Sequence, residues 1–527
     1  LDKKIFLGHR RLSVLDTSKS GSQPMQSSNK RYVIVYNGEI YNHLDIREQI
    51  EKRSKDPIIW NSSSDTETLI ESISLFGIKT TLDKINGMFS FVIYDKKENN
   101  LILARDRFGE KPLYYGQIGK VLYFSSDLVS LKEYKNIDME VDEKSIYYLL
   151  QYNYIPQQLS IFKNIKKLPP SSYLIINLDD YKKNGLDSNK NQKYWSLPRN
   201  CIHNIENENH LEERLEKLIA KSVKSQTISD VPIGAFLSGG IDSSLVVALL
   251  QSQSIDRIKT FTIGFNEKEF NEANKAKSIS NVLNTDHTEV YFSSNDALNL
   301  IPNLPKIFSE PFADPSMLPT ILISEIARKN VTVALSGDGG DEIFGGYNRY
   351  KLLSKIRSID NVVPSLLKKT ILKSYNLFSD NFWDSFGKKL NINQGSDKMR
   401  KIMTIFSANN DIDSFKKIIL NYENSKLLLS NYPSTDLIHE NIESLKKDIG
   451  IKQIMMRTDQ KNYLTDDILV KLDRSSMASS LETRVPFLDR NLVEFAADIP
   501  INLKVDKKVN KIILRKILKK YLPKNVI

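Results

Sequence analysis

The chain has 527 residues, 40% of them hydrophobic and 26% charged, which excludes a disordered or fibrous protein and leaves room for two or three domains with full cores. No run approaches the roughly eighteen uninterrupted apolar residues of a membrane span, and a single cysteine, Cys201, excludes an internal disulfide and suits a reducing compartment. The net charge of +11 invites a nucleic-acid reading, but the lysines fall in scattered pairs (Lys3-Lys4, Lys166-Lys167, Lys182-Lys183, Lys519-Lys520) without interleaved aromatics, as on a solvated Lys/Asn-rich surface.

The first part, to about Asp180, predicts short strands at Tyr32 to Tyr36, Phe89 to Tyr94, Leu101 to Ala104, Leu113 to Tyr115 and Val121 to Ser125. Breaks fall at Asn37-Gly38, at Lys97 to Asn100 and from Gly116 to Gly119, and Asp65 to Leu75 has helical spacing with Ser64 or Asp65 as N-cap. Tyr181 to Glu208 is rich in Asn, Lys and Asp and reads as a linker or exposed insertion. Helical spacing resumes at Leu211, Leu215, Leu218 and Ile219. Strands are then predicted at Ile233 to Leu237, Thr260 to Phe265 and Val331 to Leu335, each followed by a helical segment, the order of a parallel sheet. From Tyr350 to about Asn462 the apolar spacing is helical throughout.

Several motifs lie along these elements. The first group is Gly8-His9-Arg10-Arg11-Leu12-Ser13, Asn37-Gly38-Glu39-Ile40-Tyr41-Asn42, Ser64-Asp65-Thr66-Glu67, Gly87-Met88-Phe89-Ser90-Phe91 and Arg105 to Tyr115. Alone, Asn37-Gly38 fits a hairpin turn and Arg105-Asp106 a surface ion pair; their joint order is harder to obtain by chance. The second group begins with Ser238-Gly239-Gly240-Ile241-Asp242-Ser243-Ser244, between a strand and a helix. Its glycines let backbone N–H groups approach an anion, its serines add donors at a helix N-terminus, and Asp242 beside phosphate calls for a magnesium ion between them. Ser336-Gly337-Asp338-Gly339-Gly340-Asp341 again follows an apolar strand and suits a loop around a metal-bound nucleotide. Leu472 to Ala478 and Leu481 to Asp489 mix cations and acids, the latter half reading as a structural salt bridge.

The Ser238 to Ser244 heptad resembles the signature of N-type ATP pyrophosphatases, which cleave ATP to AMP and pyrophosphate; no Walker sequence stands at this position. With the later segments and Glu310-Pro311-Phe312-Ala313-Asp314-Pro315-Ser316, it resembles the synthetase domain of glutamine-hydrolysing asparagine synthetases. The N-terminal group resembles the class II glutamine amidotransferase domain. The resemblance implies an α+β N-terminal-nucleophile hydrolase sandwich (αββα) over residues 1–180 and a linker over 181–208. Over 209–527 it implies an α/β doubly wound parallel-sheet synthetase domain with a largely helical C-terminal part.

By the same resemblance, Arg11 meets the glutamine α-carboxylate, Leu12 and Ser13 shape the pocket, Asp65 and Glu39 take the α-ammonium group, and the Asn37 side chain with the Gly38 N–H forms the oxyanion hole. Leu237, Ile263, Ser336 and Gly337 contact the adenosine of ATP, Ser238 to Ser244 hold the pyrophosphate, and Asp242 with Asp341 holds Mg²⁺. Asp338 stands where the family places an acid needed for the aminoacyl-adenylate. Two positions depart from the family: Asp338 replaces Glu, and Arg474 replaces a lysine, with Lys471 one turn earlier as its substitute. The family nucleophile is an N-terminal cysteine, whereas residue 1 is leucine. The expectation is a chain clipped at both ends, with Cys201 inert in the linker. The implied reaction adenylates a carboxylate, L-aspartate first, and amidates it with glutamine-derived ammonia, giving asparagine, AMP and pyrophosphate. A sugar acid as acceptor, and an RNA-modifying ATP pyrophosphatase, are the alternatives. A homodimer and a cytoplasmic location accompany this expectation.

Overall fold

The computed structural model describes residues 5–526 except 55–57, 134–138, 199–206, 267–270, 361–362, 365–366, 369, 371–374, 376–377, 390–394, 423–427, 430–431, 435 and 446–448. Cys201 lies outside the described residues.

Alternating apolar side chains build the N-terminal half as layers. Strands β1 (Met25–Gln26), β2 (Tyr32–Ile40), β3 (Gly87–Asp95), β4 (Asn100–Arg105), β8 (Ser172–Asn177) and β9 (Gln192–Lys193) form one antiparallel sheet in the order β1-β2-β3-β4-β8-β9. Ile34, Tyr36, Phe89, Phe91 and Ile93 point to one side, onto helices His43–Arg53, Asp65–Phe76 and Ile78–Lys84. Val35, Val92, Tyr94, Leu101 and Leu103 point to the other, against Tyr115 of a second sheet and Leu113 and Leu168 at its strand ends. That sheet, β6-β5-β7, joins β5 (Tyr114–Ile118), β6 (Val121–Ser125) and β7 (Ile165–Lys167), and its far face packs on Ile146 and Leu149 of helix Glu143–Tyr152. The order is helix, sheet, sheet, helix.

Three local readings are corrected. Asn37-Gly38 is not a hairpin turn: both residues lie inside β2, opposite Ser90 and Phe89. Gly38 has φ +150°, and a Cβ there would overlap the Met88 carbonyl, so only glycine permits this strand approach. Arg105-Asp106 is not a surface ion pair, because both are buried and spent on the backbone. Arg105 donates to the carbonyls of Lys111, Gly109 and Leu168. Asp106 accepts the N–H groups of Phe89, Phe108, Gly109, Glu110 and Lys111 at 2.6–3.3 Å. Gly116 continues β5 and the chain turns at Gly119-Lys120 instead, since two partner strands hold Gly116 from both sides.

The C-terminal half is a parallel sheet in the order β12-β11-β10-β13-β14. Its strands are β10 (Ile233–Phe236), β11 (Lys259–Phe265), β12 (Asp286–Phe292), β13 (Val333–Leu335) and β14 (Glu482–Arg484). The order reverses between β10 and β13, a switch point where loops from adjacent strand ends diverge and leave a crevice. The strand β14 was not foreseen: three charged and polar residues give no periodic signal, and its expected salt bridge is nonetheless there, Arg484 Nε to Glu482 Oε1 at 2.9 Å. Among the described residues from Asn348 to Lys461, the regular elements are helices. Their core joins Tyr350, Ile405, Phe415, Ile438 and Met455 to Tyr147, Tyr148 and Tyr152 of the N-terminal half.

The halves are also pinned by buried polar contacts. Lys111 pairs with Asp473 at 2.8 Å, Lys167 with Glu310 at 2.7 Å, and Thr465 donates to the Phe108 carbonyl at 3.0 Å. Among the described residues no helix is long and apolar enough to cross a membrane. Because Asp106 satisfies five N–H groups, Asp106→Ala should destabilise by on the order of 3 kcal/mol. Urea unfolding should show this, with Asp106→Asn, which keeps an acceptor oxygen, losing less.

Candidate active site

At the C-terminal ends of β10 and β13, two glycine-containing loops meet. The Ser238 to Ser244 turn leads from β10 into helix Ile241–Ser252, whose N-terminus has no side-chain cap. Its first N–H groups are therefore open to an anion. Inside the turn, Gly239 takes φ +78°, Ser238 Oγ lies 3.0 Å from Ser243 Oγ, and Ser244 Oγ donates to the Gly240 carbonyl. The loop after β13 is pressed against this turn: a Cβ on Gly337 would stand 2.6 Å from the Ser243 nitrogen, and one on Gly340 2.5 Å from the Asp242 carboxyl carbon. Leu237, just after β10, donates its N–H to the Phe261 carbonyl of β11, and Ile263 lies two residues further along that strand.

Asp242 and Asp341 converge here on a residue that sequence reasoning missed. Lys511 Nζ bonds to Asp242 Oδ2 and lies 2.6 Å from Asp341 Oδ1. Burial pushes the Asp242 carboxyl up to about 7, with Lys511 opposing the rise and Asp341 adding to it. The other oxygen, Oδ1, is buried without a hydrogen-bond partner. Lys511 itself has φ +54° and caps helix Ile512–Leu518 at its N-terminal end, where the helix dipole disfavours a cation. That misplaced cation was the one signal available in sequence. Its carboxylate partner is 269 positions away.

Asp338, on the same loop, receives the Ser336 hydroxyl. Beyond it a buried acid–base group continues along the helix Leu469–Ala478. Lys471 lies 3.7 Å from Asp314 and its charge is favoured, against burial, by Asp338, Asp314 and Asp467. Burial and then the Asp314 carboxylate push Asp467 up to about 9. Lys471 thus sits with Asp338, but Arg474 does not. Arg474 points toward the N-terminal half, where it donates to the Ser126 carbonyl at 2.6 Å and stacks over Tyr114.

The N-terminal group gathers around the C-terminal end of β2. Asp65 Oδ2 accepts from the Tyr36 hydroxyl at 2.7 Å and the Ile40 N–H at 2.9 Å. Burial, then Asp65 and Glu482, raise the Glu39 carboxyl well above the usual range, and its Oε2 is buried without a hydrogen bond. Asn37 Nδ2 lies 3.5 Å from Ser126 Oγ. Ser126 therefore stands between Asn37 and Arg474. Arg11 donates to the carbonyls of Leu15 and Ser18, over the space a Gly21 side chain would fill. Leu12 and Ser13 follow it, half-buried.

Layered antiparallel sheets thus precede a parallel sheet with a nucleotide-type turn at its switch point, the arrangement expected of an ATP-using amidotransferase. Comparison with known proteins agrees. Residues 214–527 match the family described as asparagine synthase, and residues 1–195 match the glutamine amidotransferase domain. Asparagine synthetase (glutamine-hydrolyzing) 1 of Bacillus subtilis (strain 168) is 33% identical over 503 residues, covering 95% of this chain and 75% of that protein. A Methanocaldococcus jannaschii protein provisionally named a second asparagine synthetase (glutamine-hydrolyzing) is 37% identical over 401 residues, 71% of this chain and 74% of its own. Amidase chyE of Penicillium rubens is 25% identical over 540 residues, 95% of this chain and 75% of its own. The chain belongs to the asparagine synthase family and is an ATP-dependent carbon–nitrogen ligase carrying an amidotransferase domain.

Since Gly337 lies against the first turn of helix Ile241–Ser252, Gly337→Ala should push the two loops apart. ATP affinity, read by calorimetric titration, should fall at least about tenfold, a loss of ~1.4 kcal/mol, with circular dichroism unchanged.

Proposed function

We propose that the chain adenylates the side-chain carboxylate of L-aspartate with ATP and amidates it with ammonia drawn from glutamine, releasing asparagine, AMP and pyrophosphate. The observation that carries this reading is the meeting of Ser238 to Ser244 with Ser336 to Asp341 at the β10/β13 switch point, around a lysine shared by two carboxylates. The acceptor and the nitrogen donor rest on the names of the relatives.

In this reading the helix N-terminus and the Ser238 to Ser244 N–H groups hold the β- and γ-phosphates. Leu237, Ile263, Ser336 and Gly337 line the adenosine. Lys511 supports the charge of the departing pyrophosphate, an interaction strengthened by its burial. Asp242 and Asp341 are the groups that would hold Mg²⁺. The unpartnered Asp242 Oδ1 fits that role, and among the described residues no cluster of three or more ligating side chains occurs. Such a pair suits a small hard cation whose remaining positions are filled by water and substrate phosphates. When bound, Mg²⁺ would neutralise charge on the phosphates.

The acceptor carboxylate attacks the α-phosphorus, forming the acyl–O–P bond as pyrophosphate leaves. Ammonia then forms the C–N bond and AMP departs. Lys471, held protonated by the surrounding carboxylates, would orient the carboxylate, and Asp338 would take up the proton released by the incoming nitrogen. On the glutamine side, Arg11 receives the α-carboxylate, Asp65 and Glu39 the α-ammonium, and Asn37 with the Gly38 N–H the amide oxyanion, Leu12 and Ser13 shaping the wall. Ser126, within reach of both Asn37 and Arg474, lies where the glutamine group faces the C-terminal half. A division at 1–180, 181–208 and 209–527, a homodimer and a cytoplasmic location belong to the same proposal.

With ammonia as nitrogen source, the chain should convert ATP and aspartate to AMP, pyrophosphate and asparagine in equal amounts. ADP in place of AMP would overturn the mechanism. Asp341→Asn should lower that rate by on the order of a hundredfold or more, measured by pyrophosphate release, without changing glutamine binding.

A further inference from the structure

We infer that Arg484 couples the two active sites, reporting occupancy of the glutamine pocket to the nucleotide loop through its contact with Glu39. This inference rests on the proposed placement of glutamine beside Glu39 and Asp65.

Arg484 has no exposed surface, and its guanidinium reaches across the domain boundary. Three of its bonds anchor it within the C-terminal half: Nε to Glu482 Oε1 at 2.9 Å, and one terminal nitrogen to the carbonyls of Gln226 at 2.9 Å and Ile228 at 2.7 Å. The other terminal nitrogen is buried without a hydrogen bond and points across the boundary to Glu39 Oε2, 3.8 Å away. That oxygen is buried without a hydrogen bond too, and so is the Tyr41 hydroxyl, whose ring lies 5.6 Å from the guanidinium. Two buried, complementary groups left one short movement from bonding is a costly arrangement, and the cost falls when the gap closes.

The main chain of Arg484 joins the other site. Its carbonyl accepts the Ser336 N–H at 2.8 Å, and Arg484 stands opposite Leu335 in the β13–β14 pairing. Ser336 in turn bonds to Asp338 and opens the loop that reaches Asp341. One residue thus touches the glutamine-side carboxyl with its side chain and the nucleotide loop with its backbone.

The coupling follows from charge. An α-ammonium group placed between Asp65 and Glu39 favours the ionised form of Glu39, which burial otherwise opposes. An ionised Glu39 draws the free guanidinium nitrogen into a hydrogen bond. Arg484 is then held from both sides, and the Ser336 loop with it. The nucleotide loop is pre-ordered, so glutamine tightens ATP binding, and by linkage ATP tightens glutamine binding by the same factor.

Calorimetric titration of the full chain tests this with glutamine and an ATP analogue that is not cleaved between the α- and β-phosphates. The expected result is a glutamine Kd lowered about fivefold or more by saturating analogue, with an equal reciprocal factor. Arg484→Lys keeps a cation for Glu482 but removes the second arm of the fork, so the factor should fall to one with each ligand still binding. Should that variant fail to fold, Glu39→Gln reads the same ratio: glutamine binds more weakly, yet the factor again becomes one. Tyr41→Phe should retain the coupling. A factor of one in the unaltered chain, or an undiminished factor in the folded Arg484→Lys or Glu39→Gln variant, overturns the inference. Failure of glutamine to bind the unaltered chain instead overturns the glutamine-pocket reading, and the inference with it.

Discussion

Two carboxylates and one ammonium group, gathered where two loops leave adjacent parallel strands, set the terms for the rest of this molecule. Asp242, buried and close to the partly exposed Asp341, needs a cation beside it. Lys511 supplies it from the last helix, 269 positions beyond Asp242. That one contact requires the chain's end to return to the first strand of the parallel sheet. It also demands glycine at Gly337, Gly340 and Gly346, because side chains there would overlap the turn, the Asp242 carboxyl or the lysine stem.

The same electrostatic pattern recurs beyond these loops. Glu342, buried and bonded to Tyr347, is pushed up to about 8, Asp467 to about 9 and Asp466 to about 6, with burial as the main cause in each. Glu342 and Asp467, raised above neutrality, favour their neutral form beside the charged Lys471, whereas Asp466 stays mostly ionised at neutral pH. The ion pairs Lys111–Asp473 and Lys167–Glu310 are buried and well bonded, so they position the halves relative to one another. A buried pair adds little net stability but is costly to break, and this suits a fixed boundary between two chemistries.

Most strands of the layered and parallel sheets were legible because they rest on apolar, β-branched and aromatic runs long enough to read, such as Tyr32 to Tyr36 and Phe89 to Tyr94, whereas Ser172–Asn177 and Asp286–Phe292 were not foreseen. The three-residue strand Glu482–Arg484 was not legible, since its placement comes from pairing with β13 and no apolar alternation announces it. Asn37-Gly38 and Arg105-Asp106 misread as turn and surface pair for a related reason. Local propensity favoured those readings, and tertiary pairing with β3 in one case and five backbone N–H groups in the other overrode it.

What the sequence determined alone was the chemistry of contiguous motifs. In Ser238 to Ser244 and Ser336 to Asp341, adjacent residues build one loop, so residue type and spacing are already geometry. What only the tertiary structure decided was which distant groups complete those loops. Lys511 joining Asp242 and Asp341, Lys471 rather than Arg474 beside Asp338, and Arg484 spanning from Glu39 to Ser336 are contacts of high sequence separation. They depend on burial and on strand order, which no local pattern encodes.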